Sequence, residues 1–261
     1  MYLGSVLTIR IDDRDGGVRV LTLDRPPANA LDESVLGDLG AALDTARTDD
    51  AVRALVLTGA GAFFSGGFDL TAPPRDAAAA GALQTLYRDV HVRLLGFPKP
   101  TLAQLAGHAI AGGLVLVLAC DYRLGAEGDY KVGLNEVAIG SSFPRAALEI
   151  VRLRLPHPRA AELLLGAALY PASQAIRLGI VDELLPPATL ADTVLRRAAR
   201  MGAFPRGAYA HTKAGLVEDA IRRAMHESPD AEERTGAVWT SPESSAARAR
   251  QRAKLGTTSR G

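Results

Sequence analysis

Two glycine pairs, each in a loop that follows a strand-like segment, are the features of this sequence best suited to chemistry. Gly66-Gly67 follows the apolar segment at residues 53–58, and Gly112-Gly113 opens an apolar run that extends to Cys120. Adjacent glycines let the backbone turn sharply and let a ligand approach the main chain closely. A helix that begins at Gly112 would present unpaired amide N–H groups and the positive end of its dipole. The pattern therefore indicates a place to hold an oxyanion.

One acid follows the second glycine pair in an apolar setting, namely Glu136 within GLNEVAIG at residues 133–140. Its neighbours Leu134 and Val137 are expected to raise the proton affinity of its carboxylate. Two simpler interpretations compete, because glycine pairs also serve close packing and a glutamate after a strand is often solvated. A nucleotide-hydrolysing site is set aside, since the first glycine segment has neither Gly-Lys-Ser/Thr nor a dinucleotide fingerprint.

Length, charge and cysteine content limit the classes of protein to consider. The 261 residues fit one large domain, or one domain with an appendage, and carry a formal net charge of +1. No long basic block or interleaved aromatic pattern suggests a nucleic-acid partner. The single cysteine, Cys120, lies in an apolar run and is expected to be a core thiol. The five histidines are scattered and give no zinc-like spacing.

The N-terminal segment and the apolar runs bear on localisation. The opening MYLGSVLTIRIDDRD contains acids and no signal-like apolar region. The longest apolar run, residues 109–120, is well short of the ~20 residues that a membrane helix needs. We therefore expect a soluble, cytoplasmic protein without a secretory signal and without membrane association.

The first half of the chain predicts the elements that position these residues. Leu7, Ile9 and Ile11 alternate with polar residues, which indicates a half-buried strand, and Val18 to Leu23 completes a β-hairpin. A helix capped by Asp32 should follow, with four apolar side chains facing inward: Val35, Leu36, Leu39 and Leu43. The segment from Arg53 to Thr58 has the composition of a strand buried on both faces.

Strand, glycine turn and helix occur twice, around residues 53–70 and 100–120, with a further helix predicted over 76–95. This alternation predicts an α/β domain with substantial parallel sheet. Beyond Pro144 the pattern is mostly helical, with one short strand at 180–184. The predicted helices there are 146–155, 160–169, 172–178, 190–201, 209–226 and 241–254.

Several segments resemble one family, the crotonase (enoyl-CoA hydratase/isomerase) superfamily. RALVLTGAGAFFSGGFDL resembles its first oxyanion-hole segment, and KPTLAQLAGHAIAGGLVLVLACDYRL resembles its second. AAELLLGAALYPASQAIRLGIVDELLP resembles the region before its C-terminal helices, and Asn29-Ala30-Leu31 matches a short motif near the start. The resemblance covers nearly the whole chain in the expected order.

The resemblance implies a fold, a ligand and an assembly. The fold is a spiral of ββα units with a C-terminal helical trimerisation region, divided here into a core at residues 1–200 and a helical region at 201–261. The ligand is an acyl-CoA thioester, so that coenzyme A enters as part of the substrate and no separate cofactor is expected. The assembly is a homotrimer or a hexamer.

The resemblance also assigns roles to particular positions. Phe68 and Gly112 would supply the two backbone N–H groups of the oxyanion hole, with Glu136 as the acid/base. Five further residues would contact the substrate: Ser65, Gly66, Gly67, Gly113 and Val115.

One departure from the family pattern points to a particular reaction. Enoyl-CoA hydratases carry two glutamates, whereas the first of these positions is Val115 here and the second is Glu136. The Δ3,Δ2-enoyl-CoA isomerases of the superfamily also lack the first glutamate and have a segment similar to VGLNE at residues 132–136. This resemblance implies that a 3-enoyl-CoA double bond is moved to the 2-position, through a dienolate, with Glu136 as the single acid/base.

Two alternatives remain beside that expectation. One is another crotonase reaction, such as hydration or thioester hydrolysis, with an atypical site. The other is a protein that binds acyl-CoA without catalysis. Of the remaining polar residues, Asp69 is expected to be structural, His108 to be a packed or loop histidine, and Asp121 to be an internal ion-pair or hydrogen-bond partner. The arginines of the C-terminal tail could bind the phosphates of coenzyme A, but solvation is the favoured expectation.

Overall fold

Two β-sheets form the framework of the protein. A computed structural model describes residues 7–72, 75–226 and 229–258. The strands are β1 (Ile9–Arg14), β2 (Val18–Leu23), β3 (Ala54–Gly59), β4 (Phe63–Ser65), β5 (Thr101–Leu105), β6 (His108–Ile110), β7 (Tyr122–Ala126), β8 (Lys131–Gly133), β9 (Leu169–Pro171) and β10 (Glu183–Leu185). The first sheet has the order β1-β2-β3-β5-β7-β10 and is parallel except for the β1–β2 hairpin. The second has the order β4-β6-β8-β9, with only β9 antiparallel to its neighbour.

Helices alternate with these strands in a repeating order. They are α1 (Glu33–Thr48), α2 (Ala77–Leu95), α3 (Gly112–Ala119), α4 (Arg145–Arg154), α5 (His157–Gly166), α6 (Pro187–Gly202), α7 (Arg206–Met225), α8 (Pro229–Thr240) and α9 (Pro242–Thr258). Three times the chain adds a strand to the first sheet, then a strand to the second, then a helix: β3-β4-α2, β5-β6-α3 and β7-β8-α4. The expected α/β fold of ββα units is confirmed. Within the described ranges, no helix is long and apolar enough to cross a bilayer.

The N-terminal elements form where their caps and patterns predict. Asp32 caps α1 by accepting a hydrogen bond from the N–H of Val35 at 2.9 Å, and the four apolar side chains predicted for this helix are buried. The hairpin is confirmed, but only Ile9 of its first strand is buried, while Ile11 is 50% exposed. The reason is that β1 lies at the edge of the sheet and has a single neighbouring strand.

Helix α3 lies in the interior of the molecule. All eight of its residues are buried, which explains why the sequence of this helix has no polar face. It contacts α2 and α4 and the short strands β4 and β6, while α6 packs on the strands of the first sheet. The N-terminus of α3 is thereby held in a fixed position next to the loop that follows β3.

A cluster of charges joins α7 to the core. The carboxylate of Asp121 accepts hydrogen bonds from Lys213 at 2.7 Å, from the Tyr209 hydroxyl at 2.8 Å and from the N–H of Thr101 at 3.0 Å. Lys213 is buried, and burial lowers its pKa although the charge of Asp121 opposes this. The expected internal role of Asp121 is confirmed.

The C-terminal half differs from the sequence-based prediction at several points. Instead of a helix at 172–178 there is one 3₁₀ turn, Ala172–Gln174, followed by further turns, because the hydrogen bonds span three residues at Ala175 and Gly179 and four only at Leu178. The predicted strand is shifted to β10, and α8 falls where none was predicted. Arg248 of α9 is buried and donates a hydrogen bond to the carbonyl of Gly140, so solvation was the wrong expectation for this arginine. The predicted domain boundary at residue 200 falls in the last turn of α6.

Candidate active site

The loop after β3 is held in place by Asn29. Its side-chain nitrogen donates to the carbonyl oxygens of Ala60 and Phe63 at 3.0 and 2.7 Å, and its side-chain oxygen accepts from the N–H of Arg25 at 2.9 Å. Asn29 is buried and has a positive φ of 48°, a conformation that asparagine tolerates better than most residues. The Asn29-Ala30-Leu31 motif therefore ties the N-terminal segment to the glycine-rich loop.

The backbone on both sides of Phe68 is held by Leu31. Leu31 donates to the carbonyl of Gly67 at 2.7 Å and accepts from the N–H of Asp69 at 3.1 Å, which fixes the chain on both sides of Phe68. Within the ranges that the structure describes, the N–H of Phe68 itself donates no hydrogen bond. The side chain of Asp69 is largely buried and pairs with Arg25 at 2.7 Å, which confirms the structural role expected for it.

The two glycine-rich loops pack directly against each other. Gly67 has a φ of 81°, and a Cβ atom built on it would lie 2.7 Å from the Cβ of Ala111 and 3.2 Å from the nitrogen of Gly112. A Cβ on Gly113 would lie 2.4 Å from the carbonyl oxygen of Ser65. Side chains at either position would force the loops apart, so the glycine pairs permit this close approach.

A second unused N–H group lies at the start of α3. Ala111 has a positive φ of 53°, and its carbonyl accepts from the N–H groups of Leu114 and Val115 at 2.9 and 3.2 Å. Gly112, the first residue of the helix, donates no hydrogen bond within the described part of the chain. The N–H groups of Phe68 and Gly112 thus lie on touching loops, in a place where two donors can bind one oxygen.

Glu136 follows β8 and is the buried acid of this region. Its main-chain oxygen accepts from the N–H groups of Ile139 and Ser141 at 3.1 and 2.8 Å, so the backbone is fixed. The residue is only 9% exposed, and its Oε2 atom is buried with no hydrogen-bond partner among the described residues. Burial raises the pKa of this carboxyl to about 8, against an opposing effect of its own backbone N–H. Such a group can take up and release a proton near neutral pH.

Tyr87 of α2 contacts both oxyanion-hole positions, and no pattern in the sequence singles it out. Its ring centroid lies 4.9 Å from that of Phe68, and its Cε2 atom lies 3.0 Å from the point that a Cβ on Gly112 would occupy. Burial raises the pKa of its phenol, and the charge of Glu136 raises it further. Phe68 and Gly112, two of the residues predicted to be catalytic, therefore both contact Tyr87, and the charge of the third, Glu136, acts on its phenol. A single tyrosine in a helical pattern cannot be told from a core residue by sequence alone.

The predicted substrate-binding residues occupy several kinds of position. Ser65 is fully buried, and its hydroxyl donates to the carbonyl of Asn29 at 2.8 Å and accepts from the N–H of Gly67 at 3.2 Å. The hydroxyl therefore joins two backbone segments, while its contact with substrate stays a prediction. Gly66 donates its N–H to the neighbouring N-terminal segment at 2.8 Å. Val115 is fully buried within α3, so the position that the resemblance equates with the first glutamate of the hydratases is apolar here.

His108 and Cys120 lie outside this group, as expected. The Nδ1 atom of His108 accepts a hydrogen bond from the N–H of Lys131 at 3.0 Å, and its ring packs on Phe63 with centroids 4.7 Å apart. Cys120 is buried, which raises the pKa of its thiol to about 12. No cluster of three or more potential metal ligands occurs among the described residues.

Comparisons with known proteins identify the family of this chain. The family model described as enoyl-CoA hydratase/isomerase matches residues 13–247. A relative from Mycobacterium avium named "probable enoyl-CoA hydratase" is 32% identical over 225 residues, which covers 84% of this chain and 85% of the relative.

Two solved structures are similar over most of their length. Human mitochondrial Δ3,Δ2-enoyl-CoA isomerase superposes with a TM-score of 0.87 at 25% identity, covering 96% of this chain and 99% of that one. An enoyl-CoA isomerase from Mycobacterium tuberculosis gives a TM-score of 0.77 at 31% identity, with 89% and 97% covered. This chain therefore belongs to the enoyl-CoA hydratase/isomerase family of the crotonase superfamily.

Proposed function

We propose that this protein moves the double bond of a 3-enoyl-CoA to the 2-position. The observation that carries the proposal is the single carboxyl group of Glu136, whose buried Oε2 has no partner within the described chain. Near this carboxyl group, the backbone N–H groups of Phe68 and Gly112 donate no hydrogen bond to any described residue. Val115 supplies no second carboxylate to orient a water molecule, and isomerisation needs none.

Each step of the reaction has a group suited to it. The carboxylate of Glu136 removes a proton from C2, and the electron pair of that bond moves toward the thioester carbonyl to give a dienolate. The negative charge collects on the thioester oxygen, where the N–H groups of Phe68 and Gly112 stabilise it. The protonated Glu136 then delivers its proton to C4, which leaves the double bond between C2 and C3. Loss of one such N–H donor typically costs ~10²–10³ in rate.

The pKa of Glu136 suits both halves of this cycle. A carboxyl group with a pKa of about 8 is a stronger base than an ordinary glutamate, and its conjugate acid still gives up a proton readily near neutral pH. Because the first step needs the ionised form, kcat/KM is expected to rise with pH and to level off above about 8. A profile that levels off near pH 4.5, the ordinary value for glutamate, would contradict this assignment.

Hydration of a 2-enoyl-CoA is the second candidate, because several relatives are named hydratases. They include the M. avium protein and a (E)-benzylidenesuccinyl-CoA hydratase from Thauera aromatica, which is 35% identical over 184 residues. Of the two structural neighbours described above, the human protein is named an isomerase, whereas the M. tuberculosis protein is named an isomerase in one solved structure and a probable enoyl-CoA hydratase in another. We favour isomerisation because the buried residue at the first glutamate position is Val115.

A direct comparison of two substrates of equal chain length tests this choice. Purified protein is given 3-hexenoyl-CoA and, separately, 2-hexenoyl-CoA, and the products are separated and quantified. We expect 3-hexenoyl-CoA to be isomerised at least ~10²-fold faster than 2-hexenoyl-CoA is hydrated, the lower range for a missing acid/base group. Faster hydration would overturn the isomerase proposal, and tight binding without turnover of either substrate would indicate a non-catalytic acyl-CoA-binding protein.

We further propose that the protein works as a trimer or a dimer of trimers, in the cytoplasm, without a cofactor apart from the coenzyme A of its substrate. Apolar side chains that are exposed in the isolated chain and lie in the helical region predicted to trimerise support self-association, among them Phe204, Leu216 and Met225. Light scattering at micromolar concentration tests the oligomeric state, and a monomer would reject it.

A further inference from the structure

The hydroxyl group of Tyr87 makes no hydrogen bond to any residue that the structure describes, although the residue is only 1% exposed. Buried tyrosine hydroxyls ordinarily have a partner. Two other tyrosines of this chain follow that rule: Tyr130 donates to the carbonyl of Ala126 at 2.7 Å, and Tyr209 donates to Asp121 at 2.8 Å. The hydroxyl of Tyr87 is therefore free to donate to a bound ligand, since no described residue accepts its hydrogen bond.

The ring of Tyr87 is fixed on both sides. One neighbour is the ring of Phe68, with centroids 4.9 Å apart, and the other is the imidazole of His91, stacked with centroids 3.8 Å apart. The Nδ1 atom of His91 also lies 2.8 Å from the carbonyl oxygen of Tyr87. Burial lowers the pKa of His91 to about 4, so this imidazole is neutral at physiological pH. The phenol thus has little freedom to turn toward another partner.

The hydroxyl lies close to the N-terminus of α3. Its oxygen is 3.5 Å, and the ring atom Cε2 is 3.0 Å, from the point that a Cβ on Gly112 would occupy. The hydroxyl therefore lies beside Gly112, whose N–H is one of the two donors of the proposed oxyanion hole. Burial keeps the pKa of this phenol well above its ordinary value, with a smaller contribution from Glu136, so the hydroxyl retains its proton and stays a donor.

We propose that Tyr87 is a third hydrogen-bond donor to the thioester oxygen, beside the N–H groups of Phe68 and Gly112. This role of Tyr87 rests on the proposed oxyanion hole, whichever reaction is performed there. Tyr87 transfers no proton in this scheme. Its hydrogen bond to the thioester oxygen shortens as negative charge collects there. Tyr87→Phe is the informative variant, since it keeps the ring between Phe68 and His91 and removes only the donor.

The stretching frequency of the bound thioester carbonyl reports the number of donors directly. Hexanoyl-CoA carrying ¹³C at C1 has no double bond and is therefore not isomerised. Its carbonyl band is measured by isotope-edited infrared spectroscopy in complexes with wild type, Tyr87→Phe and Tyr130→Phe. We expect a shift to lower frequency in wild type, a partial loss of that shift in Tyr87→Phe, and the full shift in Tyr130→Phe, a matched removal of a buried hydroxyl distant from Gly112.

The separate effects on kcat and KM give a second test, because a change in packing alone would not lower kcat at constant KM. Tyr87→Phe is expected to lower kcat for 3-hexenoyl-CoA by about 10²-fold, with KM nearly unchanged, because the bond strengthens as the enolate forms. Its thermal unfolding midpoint should stay close to that of wild type, since no internal hydrogen bond is lost. Tyr130→Phe loses an internal bond and should unfold at a lower temperature while keeping its kcat.

The possible outcomes separate this proposal from the proposed function. If Tyr87→Phe keeps the full carbonyl shift, the proposal is overturned, and a changed pH profile in that variant would instead place the hydroxyl on Glu136. If wild type shows no shift at all, the oxyanion hole and the role of Tyr87 are both rejected. If the shift is present and depends on Tyr87 but no isomerisation occurs, the donor role stands and only the isomerase proposal fails.

Discussion

The burial of Glu136 is expected to reduce the stability of the protein increasingly as pH rises, and Glu136→Gln should remove that loss. The pKa of this carboxyl is about 8 in the folded chain, against the ordinary 4.5 that applies to the unfolded chain. Between these values, the folded state retains a proton that the unfolded state has released. Stability therefore falls as pH rises from about 4.5 to about 8, and is constant again above the higher value.

The size of this effect follows from the same two values. Each pKa unit corresponds to ~1.4 kcal/mol, so the difference between 4.5 and about 8 sets an upper limit of ~5 kcal/mol. Relaxation and water entry in the folded state reduce the cost of a buried charge. We therefore expect ionisation of Glu136 to lower the free energy of unfolding by about a few kcal/mol. This is a substantial part of the ~5–15 kcal/mol that typically stabilises a folded domain.

Urea unfolding of wild type and Glu136→Gln at pH 5, 7 and 9 measures the difference. The two proteins should have similar free energies of unfolding at pH 5, and the variant should be the more stable one at pH 9. The control is Glu149→Gln, a change at a fully buried glutamate that pairs with Arg145 at 3.0 Å and Arg223 at 2.7 Å. Removing that charge leaves arginines without their partner and should destabilise the protein at pH 7. An offset between wild type and Glu136→Gln that is the same at all three pH values would refute the reasoning.

Three further variants test the scaffold of the site. Gly67→Ala places a Cβ 2.7 Å from that of Ala111, which should displace the first oxyanion-hole loop and lower kcat by ~10² or more. Gly61→Ala, also at a positive φ but with no atom within 4 Å of the new Cβ, should keep its kcat, and equal losses in the two would contradict this account. Asn29→Ala removes the donor that holds the same loop and should cost ~2–3 kcal/mol in urea unfolding, with a reduced kcat; an unchanged unfolding midpoint would count against that role. Asp121→Ala leaves Lys213 buried without its counter-charge and should cost ~3–5 kcal/mol, while the folded fraction keeps its kcat.

Local signals in the sequence were sufficient for the framework of the fold. The Asp32 cap, the apolar face of α1 and the wholly apolar run of α3 are patterns within one element, and each formed as predicted. The two glycine pairs marked the loops that meet in the site, because close backbone approach depends on the absence of a side chain. The resemblance to a family then related the two loops to each other and to Glu136.

Features that depend on contacts distant in sequence were not predictable in the same way. At the start of the predicted helix 172–178, Ala172 donates its N–H to the distant carbonyl of Tyr130 at 3.0 Å, and the segment begins as a 3₁₀ turn. Arg248 is polar in sequence and buried in the structure, because α9 packs on the turn that follows Glu136. Tyr87 is the clearest case, since its importance comes only from lying beside Phe68 and Gly112, residues from two other loops.

Exchange of the C2 proton in deuterated water tests the central claim most directly. Wild type and Glu136→Gln are each incubated in D₂O with 3-hexenoyl-CoA, and deuterium at C2 is measured by mass spectrometry together with isomerisation, after acyl-CoA binding and folding have been verified for both. Because one carboxylate is proposed to form the dienolate, we predict that exchange and isomerisation both fall by at least ~10²-fold in Glu136→Gln while acyl-CoA binding is retained. Wild-type rates of exchange in the folded variant would contradict the role of Glu136 as the single acid/base.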